Sequence, residues 1–240
     1  MVAVPENHAE FKTQLEKKLF NIYSELIGGC VSRYTGAVCK LCRREGTKLF
    51  LKGEKCFSKC ILDKRKEIPG QHGKGRFNRK QSEYAKRLRE KQKLRRMIGI
   101  SEKPFRHNFE LAARQKGLTG ENLLLLLETR LDNVTQRLGF TISKVAARQM
   151  VLHGHILVNG KSVNIPSFRV KPGDQVVLKE SSRNNPVFKR WWEQTHQNLT
   201  LPSWLESNTA DYSGKIKNLP SRAEMSFPVN EQLIVELYSK

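Results

Sequence analysis

Long apolar runs are missing from this sequence. Nowhere in its 240 residues is there a stretch near the roughly 20 apolar residues that a membrane-spanning helix needs, which excludes a helical membrane protein. Acidic residues are scarce: 23 Asp and Glu face 44 Lys and Arg, for a formal net charge of +21. That excess is more than solubility requires, so a polyanion is the expected partner. Nucleic acid fits better than a membrane surface, because each neutralised phosphate releases a counterion and the cations are spread along most of the chain. Internal repeats and low-complexity tracts are also missing. Residues 1–30 mix acidic and basic groups instead of showing the basic, apolar and small-residue zones of a secretory leader, so a cytoplasmic location is expected. In that reducing setting, five cysteines with four of them clustered point to metal ligation over disulfides.

What is present is enough apolar material to fold. Hydrophobic residues make up 38% of the chain, sufficient for one large or two modest domains with real cores. The first 30 residues stand apart, with three Lys, no Arg and four Glu in a chain that is otherwise strongly basic. Phe11, Leu15, Leu19 and Ile22 recur there at helical spacing and predict an amphipathic helix over Glu10 to Leu26. Two expectations compete for this segment. One is a variable extension; the other is a start placed too early, because Gly28-Gly29 before Val31 is what translation of a GGAGG ribosome-binding sequence and a GTG start would read. Intact mass of the natural protein separates them.

Residues 31–75 are rich in Gly, Cys and basic residues without a sustained period and read as a metal-tied loop region. Gln81 to Ile98 then turns helical, with Tyr84, Leu88, Leu94, Met97 and Ile98 on one side. Pro104 suits the first turn of a second helix, with Phe105, Phe109, Ala112 and Ala113 as its buried stripe and Gly117 as its stop. A third is expected from Thr119 as N-cap through Leu123, Leu127, Leu131, Val134 and Leu138 to Gly139. Ser143 can cap one more short helix, after which β-type runs take over. Ile156 to Val163 reads as a hairpin on its Asn159-Gly160 pair, since both central positions of a type I′ turn need positive φ. Pro172-Gly173-Asp174 marks a second turn into a strand over Gln175 to Leu178.

Three features carry chemistry. Cys39-x-x-Cys42 and Cys56-x-x-x-Cys60 are two close pairs separated by thirteen residues, a spacing that can close a four-thiolate zinc site. Such a site has no open position for water, so its role is to hold a charged loop that cannot bury its own core. An iron–sulfur cluster stays open as an alternative, His72 is an outside candidate ligand, and Cys30 falls outside the pattern. Between Lys74 and Arg96, eleven Lys or Arg stand against two Glu, so within the helix repulsion is not offset, and phosphates alongside would stabilise it. A solvated face is the plainer explanation. Finally, Arg130, Arg137, Lys144 and Arg148, followed by His153, His155 and Lys161, would place two helices and a hairpin on one basic rim, unless this is ordinary surface charge.

Several longer strings are not generic. Arg33-Tyr34-Thr35-Gly36, the run Cys39 to Gly46 and Pro69-Gly70-Gln71-His72-Gly73 resemble the start of the bacterial ribosomal protein S four family. Leu88 to Lys93 is similar to that family's basic helix, and Arg130-Leu131-Asp132-Asn133-Val134 with Arg137 to Phe140 is similar to the opening of its RNA-binding module. His153 to Gly160 and Pro228-Val229-Asn230-Glu231-Gln232-Leu233 extend the resemblance to the end, so that it covers about residues 32–240. Two departures are the N-terminal extension and the three residues between Cys56 and Cys60, where similar zinc-bearing members have four.

The resemblance implies an α+β fold: a mainly helical domain with an N-terminal zinc-knuckle loop, plus a small inserted RNA-binding domain of two helices and a short antiparallel β-sheet. The expected divisions are an atypical extension at 1–30, the zinc-knuckle and basic loop region at 31–75, a helical rRNA-binding region at 76–128, the RNA-binding domain at 129–190, and a segment at 191–240 returning to the helical domain. It implies a structural constituent of the small ribosomal subunit and not an enzyme. Such a protein nucleates assembly at a multi-helix junction of the 5′ domain of small-subunit rRNA, touches ribosomal protein S five, influences translational accuracy and, in some members, binds its own mRNA. No membrane and no small-molecule substrate are expected, and the one cofactor is a zinc ion on Cys39, Cys42, Cys56 and Cys60. The residues expected to touch RNA are Arg33, Tyr34, Arg43, Arg44, Lys52, Gln71 and His72; Lys80, Arg87, Lys91, Arg95 and Arg96; and Arg130, Asn133, Arg137, Lys144, Arg148, His153, His155 and Lys161.

Other classes fit less well. The same RNA-binding module decorates RNA-modifying enzymes such as pseudouridine synthases, but those add a catalytic domain, whereas here basic helices and a metal knot account for the remainder. An RNA chaperone without shape preference is separated by competition with unrelated RNA.

Overall fold

The computed structural model describes residues 34–73, 82–197, 200–225 and 227–239. The helix expected over Glu10 to Leu26, together with Cys30, Arg33 and Lys80, lies outside the described residues. One compact unit begins at Ala37.

That unit has two hydrophobic cores. The first is helical. α1 (Val38–Glu45) ends on Gly46, whose φ of 70° lets the chain reverse. Two single-turn helices follow, α2 (Lys55–Ser58) and α3 (Ile61–Lys64). α4 (Glu83–Ile98) starts where Ser82 Oγ accepts the Ala85 N–H and stops at Gly99, φ 77°. α5 (Glu102–Arg114) and α6 (Thr119–Glu128) complete the early part, and α11 (Glu231–Tyr238) returns from the far end of the chain to pack on α4 and α6. Leu94, Phe105, Leu123, Leu124, Leu127 and Ile234 are fully buried here. Each such side chain stabilises by about 1.5–3 kcal/mol relative to exposure, so the burial outweighs the repulsion along α4. Ala113, expected in the buried stripe of α5, is exposed, and so is Tyr84 of α4.

The second core lies under a five-stranded antiparallel sheet of order β2-β1-β3-β5-β4. It begins with α7 (Leu131–Arg137) and α8 (Lys144–Leu152), the latter capped by Ser143 Oγ as expected. β1 (Ile156–Val158) and β2 (Lys161–Ser162) form the expected hairpin, with φ of 49° at Asn159 and 78° at Gly160. β3 (Gln175–Leu178) pairs with β1, Leu157 opposite Val177. Next come α9 (Glu180–Arg183), α10 (Pro186–His196), β4 (Leu205–Asn208) and β5 (Ser213–Ile216), which pairs back onto β3 with Val176 opposite Gly214.

Two expectations are corrected. The helix expected from Thr119 to Leu138 is two helices, with Leu118 and not Thr119 as the first N-cap. The chain breaks at Thr129–Arg130 because backbone bonds to an incoming loop replace helical ones: Leu131 N–H donates to Phe168 O at 2.8 Å and Val170 N–H to Thr129 O at 3.0 Å. The second concerns residues 191–240, which return to the helical core only after β5. Trp192, Trp204, Leu205 and Ile216 fill the sheet's core, and Met225, Phe227, Val229 and Ile234 belong to the helical one, with Tyr238 packed against it.

Candidate nucleic-acid interface

The cysteine region is built first. Cys42 and Cys56 are buried, Cys39 and Cys60 half-buried. Burial pushes the Cys42 thiol up; the Leu49 N–H pulls it down, and the thiols of Cys56, Cys39 and Cys60, all within electrostatic reach, push it up further. The Lys52 N–H donates to Cys56 Sγ at 3.3 Å. The donor set thus suits a thiophilic metal and two sulfurs already accept backbone N–H bonds, yet among the described residues no group of three or more His, Cys, Asp or Glu is arranged to hold a metal ion. Around the cysteines, Lys52, Lys55, Lys59, Lys64, Arg65 and Lys66 are all exposed, as are Gln71 and His72. Of these lysines only Lys52 was singled out from sequence. The density of Lys between residues 52 and 66 is the signal that could have found the others. Tyr34 is exposed, and Arg43, half-buried, donates to Glu67 O at 2.9 Å.

α4 is less open than its composition implies. Repulsion along it is offset after all, by glutamates from other elements. Arg87 pairs with Glu236 at 2.8 Å, Arg89 with Glu45 at 3.2 Å, and Lys91 with Glu102 at 2.6 Å. Arg95 also approaches Glu102, at 3.6 Å, and Arg96 bonds Glu45. Lys91 is itself buried, and its ammonium lies 5.9 Å from the centre of the Tyr238 ring. Burial works to raise Glu102, but the hydrogen bonds from Lys91 and Tyr238 outweigh it and hold the carboxyl below its usual range. At Glu45 the balance is opposite: burial wins over Arg89 and Arg96, and its carboxyl sits high. Lys91, Arg87, Arg95 and Arg96 are therefore engaged in joining α4 to α1, α5 and α11.

At the junction of the two cores lies a buried charge cluster. Arg130 donates twice to Asp132, at 3.0 and 2.7 Å, with both side chains almost fully buried, and Arg148 approaches the same carboxylate at 3.6 Å. The Glu128 carboxylate, fully buried, accepts from Asn133 at 2.6 Å and from Arg137 at 2.8 Å. Burial pushes Lys144 down to about 8, with its Nζ 5.0 Å from the centre of the Phe227 ring in the helical core. Arg169 donates to Asn108 Oδ1 at 3.0 Å across the same junction. Of the expected RNA residues, Arg130, Asn133, Arg137, Arg148 and Lys144 are thus gathered here and turned largely inward.

The corner between α8 and β1 faces outward. His153 and Lys161 are exposed, and His155 is half-buried with Nδ1 2.8 Å from Ser182 Oγ. Burial, His153 and Lys179 hold His155 below its usual value. Among the described residues, exposed cations thus gather in the cysteine-bearing loops, Lys161 is the exposed cation of the helix-to-hairpin corner, Lys103, Arg106, Arg114 and Lys116 are exposed on and after α5, and the charges at the junction bind the cores together.

A cation-rich helical body joined to a small α+β module defines a basic protein of the nucleic-acid-binding class. Residues 33–128 match the family model described as the ribosomal protein S4/S9 N-terminal domain, and residues 129–176 match the S4 domain, the two meeting between α6 and α7. The chain is 54% identical over 211 residues to the small ribosomal subunit protein uS4 of Natranaerobius thermophilus, a match spanning 88% of this chain and 100% of that relative. It is 52% identical over the same spans to the uS4 protein of Thermus thermophilus, and 54% to a protein of Clostridium novyi named uS4A. The chain belongs to the uS4 family of small-subunit ribosomal proteins.

Proposed function

We propose that this protein is a structural constituent of the small ribosomal subunit in the cytoplasm, where it binds small-subunit rRNA. The observation that carries this reading is the family match across both cores, joined to the exposed cations of the cysteine-bearing loops. In finer terms the protein binds early, gripping a multi-helix junction of the 5′ domain, and touches ribosomal protein S five, through which it influences decoding accuracy. Binding of its own message follows from the same recognition. RNA is read by shape through phosphates and 2′-hydroxyls, because the A-form major groove is too narrow for side-chain readout. Tyr34, Lys52, Lys161, His153, Gln71 and His72 are the exposed expected contacts that support this reading.

The test is equilibrium binding of the purified protein to the 5′-domain junction RNA at physiological salt with excess tRNA. Tight binding that survives the competitor supports the reading, and binding lost to tRNA contradicts it. Zinc on Cys39, Cys42, Cys56 and Cys60 belongs to the same reading and rests on the donor chemistry of four neighbouring thiols. Metal analysis of protein purified without chelator should give about one zinc per chain, as one closed tetrahedral site requires, and a metal-free protein with an intact fold contradicts it.

A further inference from the structure

A pocket of about 430 Å³ opens beside the outward corner, between α8, the His153–His155 turn and α10. That is within the roughly 300–1,000 Å³ of small-ligand sites. Its surface is mostly aromatic and apolar. The rings of His153, His155, Phe188 and Trp191 run in sequence along it, with successive centres 6.1, 5.0 and 5.7 Å apart. Val145, 47% exposed, and Met150 form the α8 side. Such a surface offers a place for a group with an aromatic or apolar face.

Its surroundings say which group. Lys179, whose backbone N–H donates to His155 O at 2.9 Å and whose charge acts on His155, is exposed beside the rings. Stackable rings with a cation beside them are what single-stranded nucleic acid requires: bases stack on the rings while the backbone meets the charge. A protein helix would need only the apolar part. Two further details fit a base. His155 is held by its bond to Ser182, so the ring is positioned before anything binds. Gln149 Nε2 lies 3.4 Å from His153 Nε2, which places an amide at the pocket where a base edge can be hydrogen-bonded.

We propose that this pocket takes one unpaired RNA nucleobase, stacked against Trp191 and the His153–His155 pair, as a stacking subsite added to phosphate contacts elsewhere. The inference rests on the rRNA-binding reading for its natural ligand, but the pocket itself is testable without it. Burial keeps His155 below its usual value, so at neutral pH it presents an uncharged ring.

The experiment follows tryptophan emission of the full-length protein on titration with short unstructured oligoadenylate and oligouridylate. Trp192 and Trp204 are buried, and the difference from Trp191→Phe assigns the signal. Quenching in the parent that is lost in Trp191→Phe is expected. Trp191→Ala should weaken junction-RNA binding roughly ten- to hundred-fold, as loss of one base stack does, with an unchanged salt slope because no phosphate contact is removed. Val145→Glu, which disturbs no core, should weaken it as well by placing a negative charge at the mouth. No quenching assignable to Trp191, or junction binding unaltered in both Trp191→Ala and Val145→Glu, overturns the pocket. Quenching by oligonucleotides without preference for the junction over tRNA would keep the pocket and contradict the rRNA reading. Specific junction binding without Trp191 involvement would do the reverse.

Discussion

α4 and the corner joining α8 to β1 are both basic in sequence, but they use their charge differently. In α4, Arg87, Arg89, Lys91, Arg95 and Arg96 turn toward Glu45, Glu102 and Glu236, so the helix that is richest in positive charge is largely a structural strut. At the corner, His153 and Lys161 are exposed and a pocket lies open beside them. Positive charge in this protein therefore has two roles, and the position of acidic residues in three dimensions decides which one a given Lys or Arg plays.

The largest expected effect comes from breaking the buried side of that comparison. Glu128→Ala removes the fully buried carboxylate that receives Asn133 and Arg137 and leaves the Arg137 guanidinium, 23% exposed, without its ion pair, while Asn133 Nδ2 keeps its bond to the backbone carbonyl of residue 128. It should destabilise the protein by about 3 kcal/mol in denaturant titration, the low end for stranding one side of a buried ion pair because the arginine left behind is partly solvated. A loss under about 1 kcal/mol would mean that water reaches the junction freely.

Glu45→Ala should come next. It frees Arg89 and Arg96 at once, and because both guanidiniums are partly exposed the expected loss is about 1–3 kcal/mol. Its effect on RNA affinity at a given salt should be small or slightly favourable, since two cations are released. Marked weakening of RNA binding with the fold intact would show that Glu45 positions these arginines for RNA.

Lys144 gives a smaller, pH-dependent effect. Its ammonium is pushed down to about 8 in the folded protein from an ordinary 10.5. The unfolded chain thus holds more protons on this group between those values, and stability should rise with pH from about 8 to 10.5 through this residue. Below about 8 the group is charged in both states and contributes no slope. Lys144→Met should flatten that part of the profile, and an unchanged slope contradicts the assignment.

How much of this could be read in the sequence depends on the range of the interaction. The Asn159-Gly160 hairpin, the Pro172 turn into β3 and the Ser143 cap are set by neighbours within a few residues, and all were legible. The break at Thr129–Arg130 was not, because residues 166–170 cause it. β5 escaped for a related reason: its Ser-Gly-Lys-Ile run has no strand signature, and Gly214 sits where a Cβ would lie 2.4 Å from Leu138 Cδ2. The acid partners of α4 come from as far as 149 residues away, so its net charge gave no hint that they existed. The family resemblance identified the basic segments but not which of their cations face outward.

The division between structural and RNA-facing charge is tested most directly by measuring salt-dependent rRNA binding and thermal stability together for Arg96→Ala and Lys161→Ala. Lys161→Ala should lower the salt slope by about one with an unaltered midpoint. Arg96→Ala should lower the midpoint by about 2–4 °C, as a loss near 1 kcal/mol does in a domain of this size, and leave the slope as it was. If Arg96→Ala instead reduces the slope as much as Lys161→Ala while the fold keeps its stability, α4 is an RNA-binding surface and the division drawn here is wrong.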